Sequence, residues 1–452
     1  TDLTVGSFIQ NSYDISKAYS LEMGLRLDYN NDYGLFPLPR VNLLMKITPE
    51  LSSRIGGGFG YKIPSIFTEK SDELAFRNIL PIDKDITEAE KAYDIVLGKV
   101  QEPSIGILLK YPNSDKTKLS TNIVLDTKPI NKINVGFIGA GSFAQSYLIP
   151  HVKASEASLD TVVTSKGITS KNVAQKFGFN TSSSAAKDIL ENKSINTVFI
   201  ATPQNSHAKY VIEALKNDKN VFVEKPLAMN EEELEHVETA YKESQNHLLV
   251  GFNRRFADVS KTIKASFEGQ TEPVFVNIRV NAGFIPKEHW TQNPEIGGGR
   301  IIGEMCHFID LMQYFTNSEP VKVYAECINT ANEKTKADDN ISIVVKFKNG
   351  SVGNLIYLAN GDKSLPKELI EVFGGGIVGR IHDFRYGEIH YKNKSTKIKS
   401  PSKGHKQEVA AFIDALSNEK ASPISFNSIR LTTLTTFKII DSLNSGLPQH
   451  IE

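Results

Sequence analysis

A chain of 452 residues with 40% hydrophobic content has the length for two to four domains and enough apolar side chains for true cores. Its 52 basic and 52 acidic side chains cancel to a formal net charge of +0, which argues against nucleic acid or an anionic membrane surface as a partner. Two cysteines, Cys306 and Cys327, make neither a disulfide framework nor a zinc cluster, and no apolar run approaches the ~18 residues of a spanning helix. Residues 1–20 lack the charged start and apolar core of a signal peptide, so a cytoplasmic setting is the expectation.

Over residues 21–29 (LEMGLRLDY) apolar or aromatic side chains fall at every second position. Val41, Leu43, Met45 and Ile47 repeat that alternation, and residues 54–61 (RIGGGFGY) give a third, glycine-rich one. Turn signals at 30–32 and 49–50 separate them, and the pattern predicts a β-rich segment over 1–84. Thr87 then reads as the N-cap of a helix through Leu97, residues 104–111 as a strand, and 113–132 as a polar linker. Residues 20–82, chiefly EMGLRLDYNNDYG, LFPLPRVNLLMKITPELSSRIGGGFGYKIPS and 66–69, resemble consecutive strands of a TonB-dependent receptor barrel. EAEKAYDIVLGKV with PSIGILLKYP, within 85–112, is similar to the closing helix and strand of a zinc alcohol dehydrogenase. Three or four strands fall short of the about eight in the smallest single-chain bacterial barrels. The dehydrogenase-like tail brings no zinc ligands. The expectation is a chimeric N-terminus with an appended sheet and no function of its own.

Residues 133–138 (INVGFI) form a short apolar run that stops at Gly139. Gly139-Ala140-Gly141-Ser142-Phe143-Ala144 reads GxGxxA, and helix-like sequence follows. Strand, glycine turn and helix together are the context of a dinucleotide site. Gly139 permits the tight turn, and Gly141 has no Cβ to keep a pyrophosphate away. Ala144 lets the helix lie close on the strand, and the amides at its start, around Ser142 and Phe143, face the phosphates. Residues 159–164 predict the second strand, which ends Thr164-Ser165-Lys166. That end lacks the carboxylate that holds a ribose 2′-hydroxyl, so Ser165 and Lys166 lean the cofactor from NAD toward NADP, with a solvated loop lysine as the alternative. Strands at 196–201 and 220–223 with a helix at 208–215 complete a βαβαβ rhythm. Lys225, at the carboxyl end of a parallel strand, points into the crevice where such sheets bind ligands and suits proton transfer; Pro226 fixes the turn beyond it.

ATPxxxH at 201–207, then VFVEKPLA at 221–228, with GFIGAG before and GFNRRF after, resembles the glucose–fructose oxidoreductase/inositol dehydrogenase/MocA family over residues 131–450. The resemblance implies an α/β protein: a Rossmann doubly wound parallel sheet over 131–252 and an α+β domain with a large open mixed sheet over 253–452. It implies that Thr202 and Glu224 contact the cofactor and that Pro203 lines the nicotinamide side. His207 is either a further cofactor contact or a helix-capping histidine.

In the second half, 273–281, 342–347, 351–357 and 368–373 alternate as strands, and helical apolar spacing starts at Ile302. Glu304, His307 and Asp310 follow one another at intervals of three, on one helix face. His307 and Asp310 match the last two polar positions of the family's DxGxHxxD pattern. Gly303 stands where many members carry aspartate, and Met305 where they carry glycine, so the Asp–His–Lys arrangement is incomplete. Glu304 is a substitute rotated about 100° around the helix. Further substrate candidates are Arg254, Asn281 and Trp290, the last by stacking. Lys403-Gly404-His405 is either a substrate mouth or a lysine-rich surface loop.

The expectation is an NAD(P)-dependent oxidoreductase moving a hydride between nicotinamide and a hydroxyl or carbonyl carbon of a sugar or nucleotide-sugar. Lys225 and His307 are its catalytic candidates, with no metal, no nucleic acid and no membrane partner, and with homo-oligomers formed through the C-terminal sheet. A non-catalytic nucleotide-binding sensor on the same fold, or a redox-assisted glycosidase or epimerase, is the alternative.

Overall fold

The computed structural model describes residues 4–16, 18–30, 34–46, 52–58, 82–85, 89–96, 99, 107–110, 121–125, 131–328, 337–400 and 402–452. The chain divides into two compact units, Thr1–Thr117 and Lys118–Glu452.

In the first unit, β1 (Thr4–Asp14), β2 (Tyr19–Asn30), β3 (Gly34–Lys46) and β4 (Ser52–Gly58) form an antiparallel meander in chain order. β1 was not foreseen from the sequence. The alternation of β2 shows directly: Met23, Leu25, Leu27 and Tyr29 are exposed, whereas Asp28 is buried. β5 (Ile82–Asp85) pairs in parallel with β6 (Ile107–Lys110), and helix α1 (Ala89–Val96) lies between them in sequence. Thr87, residues 66–69 and the turn positions 31–32 and 49–50 lie outside the described residues.

The second unit opens with β7 (Asn122–Val124), inside the stretch expected to be a linker. Its edge pairing is antiparallel to β10 (below). Then come β8 (Asn134–Ile138), a π turn at Ala144–Leu148, α2 (Ile149–Lys153), β9 (Ser158–Val163), α3 (Gly167–Phe177), β10 (Thr181–Ser183), α4 (Lys187–Leu190), β11 (Thr197–Ile200), α5 (His207–Lys216), β12 (Asn220–Val223), α6 (Glu231–Glu243) and β13 (Leu248–Val250). The sheet order is β13-β12-β11-β8-β9-β10-β7, parallel except for β7. Every residue of β8 and β11 is buried, as expected of central strands covered on both faces. Gly136 gives Ile189 of α4 room to press onto β8: a Cβ there would stand 2.6 Å from its Cγ2.

The remaining elements are α7 (Asp258–Ser266), β14 (Phe275–Asn281), α8 (Cys306–Thr316), β15 (Pro320–Cys327), β16 (Ile341–Phe347), β17 (Val352–Leu358), β18 (Glu368–Gly374), β19 (Ile377–His382), β20 (Tyr386–Tyr391), β21 (Lys394–Lys399), α9 (His405–Ser417), α10 (Phe426–Ser445) and β22 (Gln449–His450). Nine strands form one mixed sheet, β21-β20-β19-β18-β14-β17-β16-β15-β22, in which β14 and β17 are the parallel pair. One face is buried under α7, α8 and α10. The register places Phe275 opposite Phe373, and Tyr324 opposite Val344, on the other face, where all four are exposed.

A phenylalanine ladder joins the halves. Phe137, Phe199 and Phe222 stack across β8, β11 and β12 with centroids 4.9 and 4.7 Å apart. Phe412 of α9 meets the last two edge-on at 5.9 and 5.8 Å. Each such pair contributes about 0.5–1.5 kcal/mol beyond its buried area. The ladder holds α9, and with it His405 at its first turn, over the carboxyl ends of the parallel strands.

Candidate active site

The strand order reverses at β8, which has β9 on one side and β11 on the other, and the crevice for a dinucleotide opens there. Gly139 has φ +89°, and a Cβ on it would collide with the Ala201 carbonyl. A Cβ on Gly141 would meet nothing within 4 Å, so that backbone is open to an approaching phosphate. Ala144 is buried under the turn, while Ser142 and Phe143 are exposed at its mouth. At the end of β9 the Thr164 hydroxyl donates to the Lys166 carbonyl (2.8 Å), and Ser165 and Lys166 are exposed. These features fit a nicotinamide dinucleotide: one glycine is needed by the turn, and the other leaves the cradle open.

Two turns beyond β11 and β12 close the crevice. Ser206 Oγ donates to Thr202 Oγ1 (2.7 Å), and Pro203 is exposed beside them. Of the two readings of His207, cofactor contact or helix-capping histidine, the structure favours a structural one: it is only 1% exposed. Its Nδ1 lies 2.8 Å from the Pro226 carbonyl and its Nε2 3.0 Å from the Thr202 carbonyl. Both ring nitrogens are spent on backbone, so His207 ties the two turns together and has no edge left for a ligand. Burial holds its pKa below the usual histidine value. The Lys225–Pro226 bond is cis.

Lys225 and Glu224 reach a cavity of about 340 Å³ that Arg254, Glu304 and His307 enter from the other half. Lys225 Nζ donates to the Gly303 carbonyl (2.8 Å). His307 is buried, its ring edge-on to Phe252 at 6.3 Å, and its Nδ1 has no partner among the described residues. Burial, then the charges of Arg254 and Lys225, hold its pKa well below the ordinary value, so it is neutral. Burial pushes Glu224 up to about 7 against the opposing pull of Lys225.

Glu304 does not take the place of the absent aspartate. Its carboxylate accepts from Lys367 (2.6 Å), Arg300 (2.9 Å) and the Tyr357 hydroxyl, and those three bonds engage both of its oxygens. Burial opposes its charge, but Lys367, Tyr357 and Arg300 outweigh burial and keep it ionised. At Gly303 itself a Cβ would stand 2.9 Å from the Gly297 carbonyl and 3.2 Å from the Gln204 amide, so a side chain there requires movement. The backbone carbonyl of Gly303 holds the lysine instead.

Three more expectations are corrected. Asp310 is fully buried and bound by Arg255, at 2.9 Å to Nε and 2.5 Å to Nη2, so it lies beneath the cavity and not in it. Asn281 spends its amide on the carbonyls of Asp362 (2.7 Å) and Leu365 (3.2 Å) and pins a loop. Trp290 is half-exposed, and its neighbour Thr291 lines the cavity in its stead. Arg254 does line it, with Nε and Nη2 each 2.9 Å from Glu368 and its guanidinium 4.9 Å over the Phe308 ring.

The Lys403-Gly404-His405 segment belongs to the cavity wall. Gly404 has φ +96°, and a Cβ there would collide with the Asn253 carbonyl. That turn aims Lys403 Nζ at Glu368 (2.7 Å) and lays His405 on Tyr147, centroids 4.8 Å apart. Burial, then Arg254, brings His405 down to about 4. Gln204, Asn253 and Arg300 also line the cavity and carried no signal in the sequence beyond lying near recognised motifs. Among the described residues no helix is long and apolar enough to cross a membrane, and no cluster of His, Cys, Asp or Glu is arranged to hold a metal.

Residues 133–252 match the model of the oxidoreductase family with NAD-binding Rossmann fold, and 265–374 that of the GFO/IDH/MocA C-terminal domain. The chain is 29% identical over 231 residues to Oxidoreductase P35 of Formosa agariphila, covering 49% of this chain and 70% of that one. It is 25% identical over 256 residues to myo-inositol 2-dehydrogenase of Thermotoga maritima, covering 55% and 74%. The structure of a levoglucosan dehydrogenase in complex with NADH and levoglucosan shares the fold, with TM-score 0.62 and 20% identity over 71% of this chain and 99% of that one. With the nucleotide half and the mixed-sheet half each matched in sequence, and the carboxyl ends of the parallel strands carrying the glycine turn and Lys225, the chain belongs to the GFO/IDH/MocA family of NAD(P)-dependent oxidoreductases.

Proposed function

We propose that the cavity binds a sugar-class substrate, a pyranose, cyclic polyol or nucleotide-sugar, and that Lys225 takes or returns the proton of the hydroxyl whose carbon is oxidised or reduced. A nicotinamide dinucleotide, held along Gly139–Ala144 with Thr202, Pro203 and Glu224, supplies the hydride acceptor or donor. Among the described residues Lys225 Nζ has one hydrogen-bond partner, the Gly303 carbonyl, which orients it and leaves its other positions to a substrate oxygen. His307 is neutral, and its buried Nδ1 has no partner among the described residues, so it is suited to a hydrogen bond with the same substrate or to relaying the proton. The observation that carries this reading is the meeting of Lys225, at the carboxyl end of β12, and His307 in one cavity that Phe143 and Tyr147 of the glycine-turn segment also line. The printed names of relatives, which include inositol dehydrogenases, an anhydrofructose reductase and a levoglucosan dehydrogenase, support the substrate class.

Lys225→Met is expected to lower turnover about a thousandfold while nucleotide affinity stays within a few-fold. Wild-type turnover in that variant excludes the assigned role. The carboxylate-free end of β9, with Ser165 and Lys166 exposed, supports acceptance of a 2′-phosphate. Ser165→Asp is then expected to raise KM for NADP at least tenfold and leave NAD unaffected. Association of copies through the exposed face bearing Phe275, Tyr324, Val344 and Phe373 is the proposed oligomer contact, and Tyr324→Lys should lower the mass seen in light scattering.

A further inference from the structure

Cations outnumber carboxylates around the cavity. Glu368 accepts from both Arg254 and Lys403, which converge on its Oε1 at 2.9 and 2.7 Å. Glu304 accepts from Arg300 and Lys367 at 2.9 and 2.6 Å. Each of these carboxylates therefore serves two cations. Lys225 faces a carbonyl, not a carboxylate. Asp383, 3.6 Å from Lys403, is shared with Arg385 at 3.4 Å, and those two charges cancel. Five cations are thus set against two carboxylates, which leaves three positive charges before Glu224 is counted. Glu224, pushed up to about 7, cannot supply more than part of the balance at neutral pH. The same field appears in both cavity histidines, since Arg254 helps to depress each of them. A concave, partly desolvated surplus of one sign concentrates the opposite sign from solution.

We infer that the cavity selects a substrate that carries its own negative charge, a sugar-class ring bearing a carboxylate or a phosphate, received by the Arg254–Glu368–Lys403 cluster. This rests on the sugar-class reading above. Arg254 commits Nε and Nη2 to Glu368, while its Nη1 makes no hydrogen bond to the described residues. Lys403 likewise keeps donors beyond the one given to Glu368. Charge-assisted bonds from these groups to an oxyanion are stronger than bonds to a neutral hydroxyl. The rival account gives the surplus charge to the reacting oxygen of a neutral sugar as that oxygen becomes anionic.

The test uses the full chain saturated with NADH, titrated calorimetrically with three matched series: neutral hexose, the corresponding uronate and the corresponding 6-phosphate, in gluco, galacto and manno forms. The expected result is binding of one charged class at least about tenfold tighter than its neutral parent, with the gap narrowing between about 0.05 and about 0.3 M salt. Which charged class wins separates carboxylate from phosphate. Lys403→Met should erase most of that preference. Equal affinity for neutral and charged members, including equal failure to bind, overturns the inference, as does a Lys403→Met effect of the same size on both. Nicotinamide absorbance in parallel mixtures, with the oxidised dinucleotide in place of NADH so that a hydroxyl carbon can give up its hydride, tests the broader reading separately. Charge preference without hydride transfer from any member sinks the dehydrogenase assignment alone, and turnover of neutral hexoses without charge preference sinks the inference alone.

Discussion

Glu224 sits at the strand end beside Lys225 with 9% of its surface exposed, and its carboxyl is pushed up to about 7 from 4.5. A carboxyl with a raised folded-state pKa favours the folded chain below about pH 4.5, and that contribution disappears as pH rises through about 7. Above pH 7 the folded protein carries a buried charge that the unfolded chain solvates freely. Glu224→Gln is therefore expected to stabilise the nucleotide-free protein by about 1–3 kcal/mol at pH 8 and to change little at pH 4.5. Urea denaturation at the two pH values measures this, and an equal effect at both would show that burial is not the cause. Glu408, fully buried with neither carboxyl oxygen partnered among the described residues, is raised well above the usual value first by burial and then by Glu224. At this scale the sequence singled out Lys225 and His307, which the structure brings to one cavity, and Asp310, which the structure buries beneath it. Helical spacing puts Asp310 on the same face as His307, but spacing carries no knowledge of Arg255, which claims it from a turn 55 residues earlier.

Elements show where a motif is legible and where it is not. The GxGxxA turn is legible because its physics is local: one positive φ and one open backbone. The two glycines do different work, and their variants should separate it. Gly139→Ala forces a side chain into a left-handed backbone and into the Ala201 carbonyl, so it is expected to cost about 2 kcal/mol or more in stability. Gly141→Ala meets no neighbour in the fold, so its melting temperature should be unchanged while dinucleotide affinity falls at least tenfold. Fluorescence titration with NADH alongside a thermal melt reads both. A Gly141→Ala protein that binds NADH normally removes Gly141 from the cradle. The central strands were equally legible, as unbroken apolar runs. The Lys403–His405 turn was not, because its partners Asn253, Tyr147 and Glu368 lie 150, 258 and 35 residues away and pairing at that distance leaves no periodic trace. The shielding of Glu304 by Lys367 and Tyr357 was invisible for the same reason: β17 and the approach to β18 bring them in.

Across the whole molecule, every residue of the candidate site falls within Lys118–Glu452, so the first unit carries none of the proposed chemistry. The useful question is where the working unit begins. Sequence composition put that start near residue 131, because 113–132 is polar and has no pattern. Yet Asn122–Val124 completes the Rossmann sheet as its last strand, with Leu125 N donating to the Asn180 carbonyl (2.7 Å) and the Thr121 hydroxyl to Asp188 (2.5 Å). Three residues are too few for alternation to register, and both Ile123 and Val124 are exposed, so no apolar signal marks the strand. A chain starting at 118 is expected to match the full chain in kcat, KM and unfolding of the catalytic unit. One starting at 131 loses the edge strand, and with it several net hydrogen bonds of about 1 kcal/mol each. It also bares the edge of β10, a site for strand-to-strand aggregation. It should unfold at a lower urea concentration and aggregate sooner. Its kcat should nevertheless stay unchanged, because β9 and β10 stand between β7 and the glycine turn at the end of β8. Equal stability of the two truncations would show that β7 contributes nothing. A fall in kcat confined to the shorter chain would show that the edge of the sheet reaches the site.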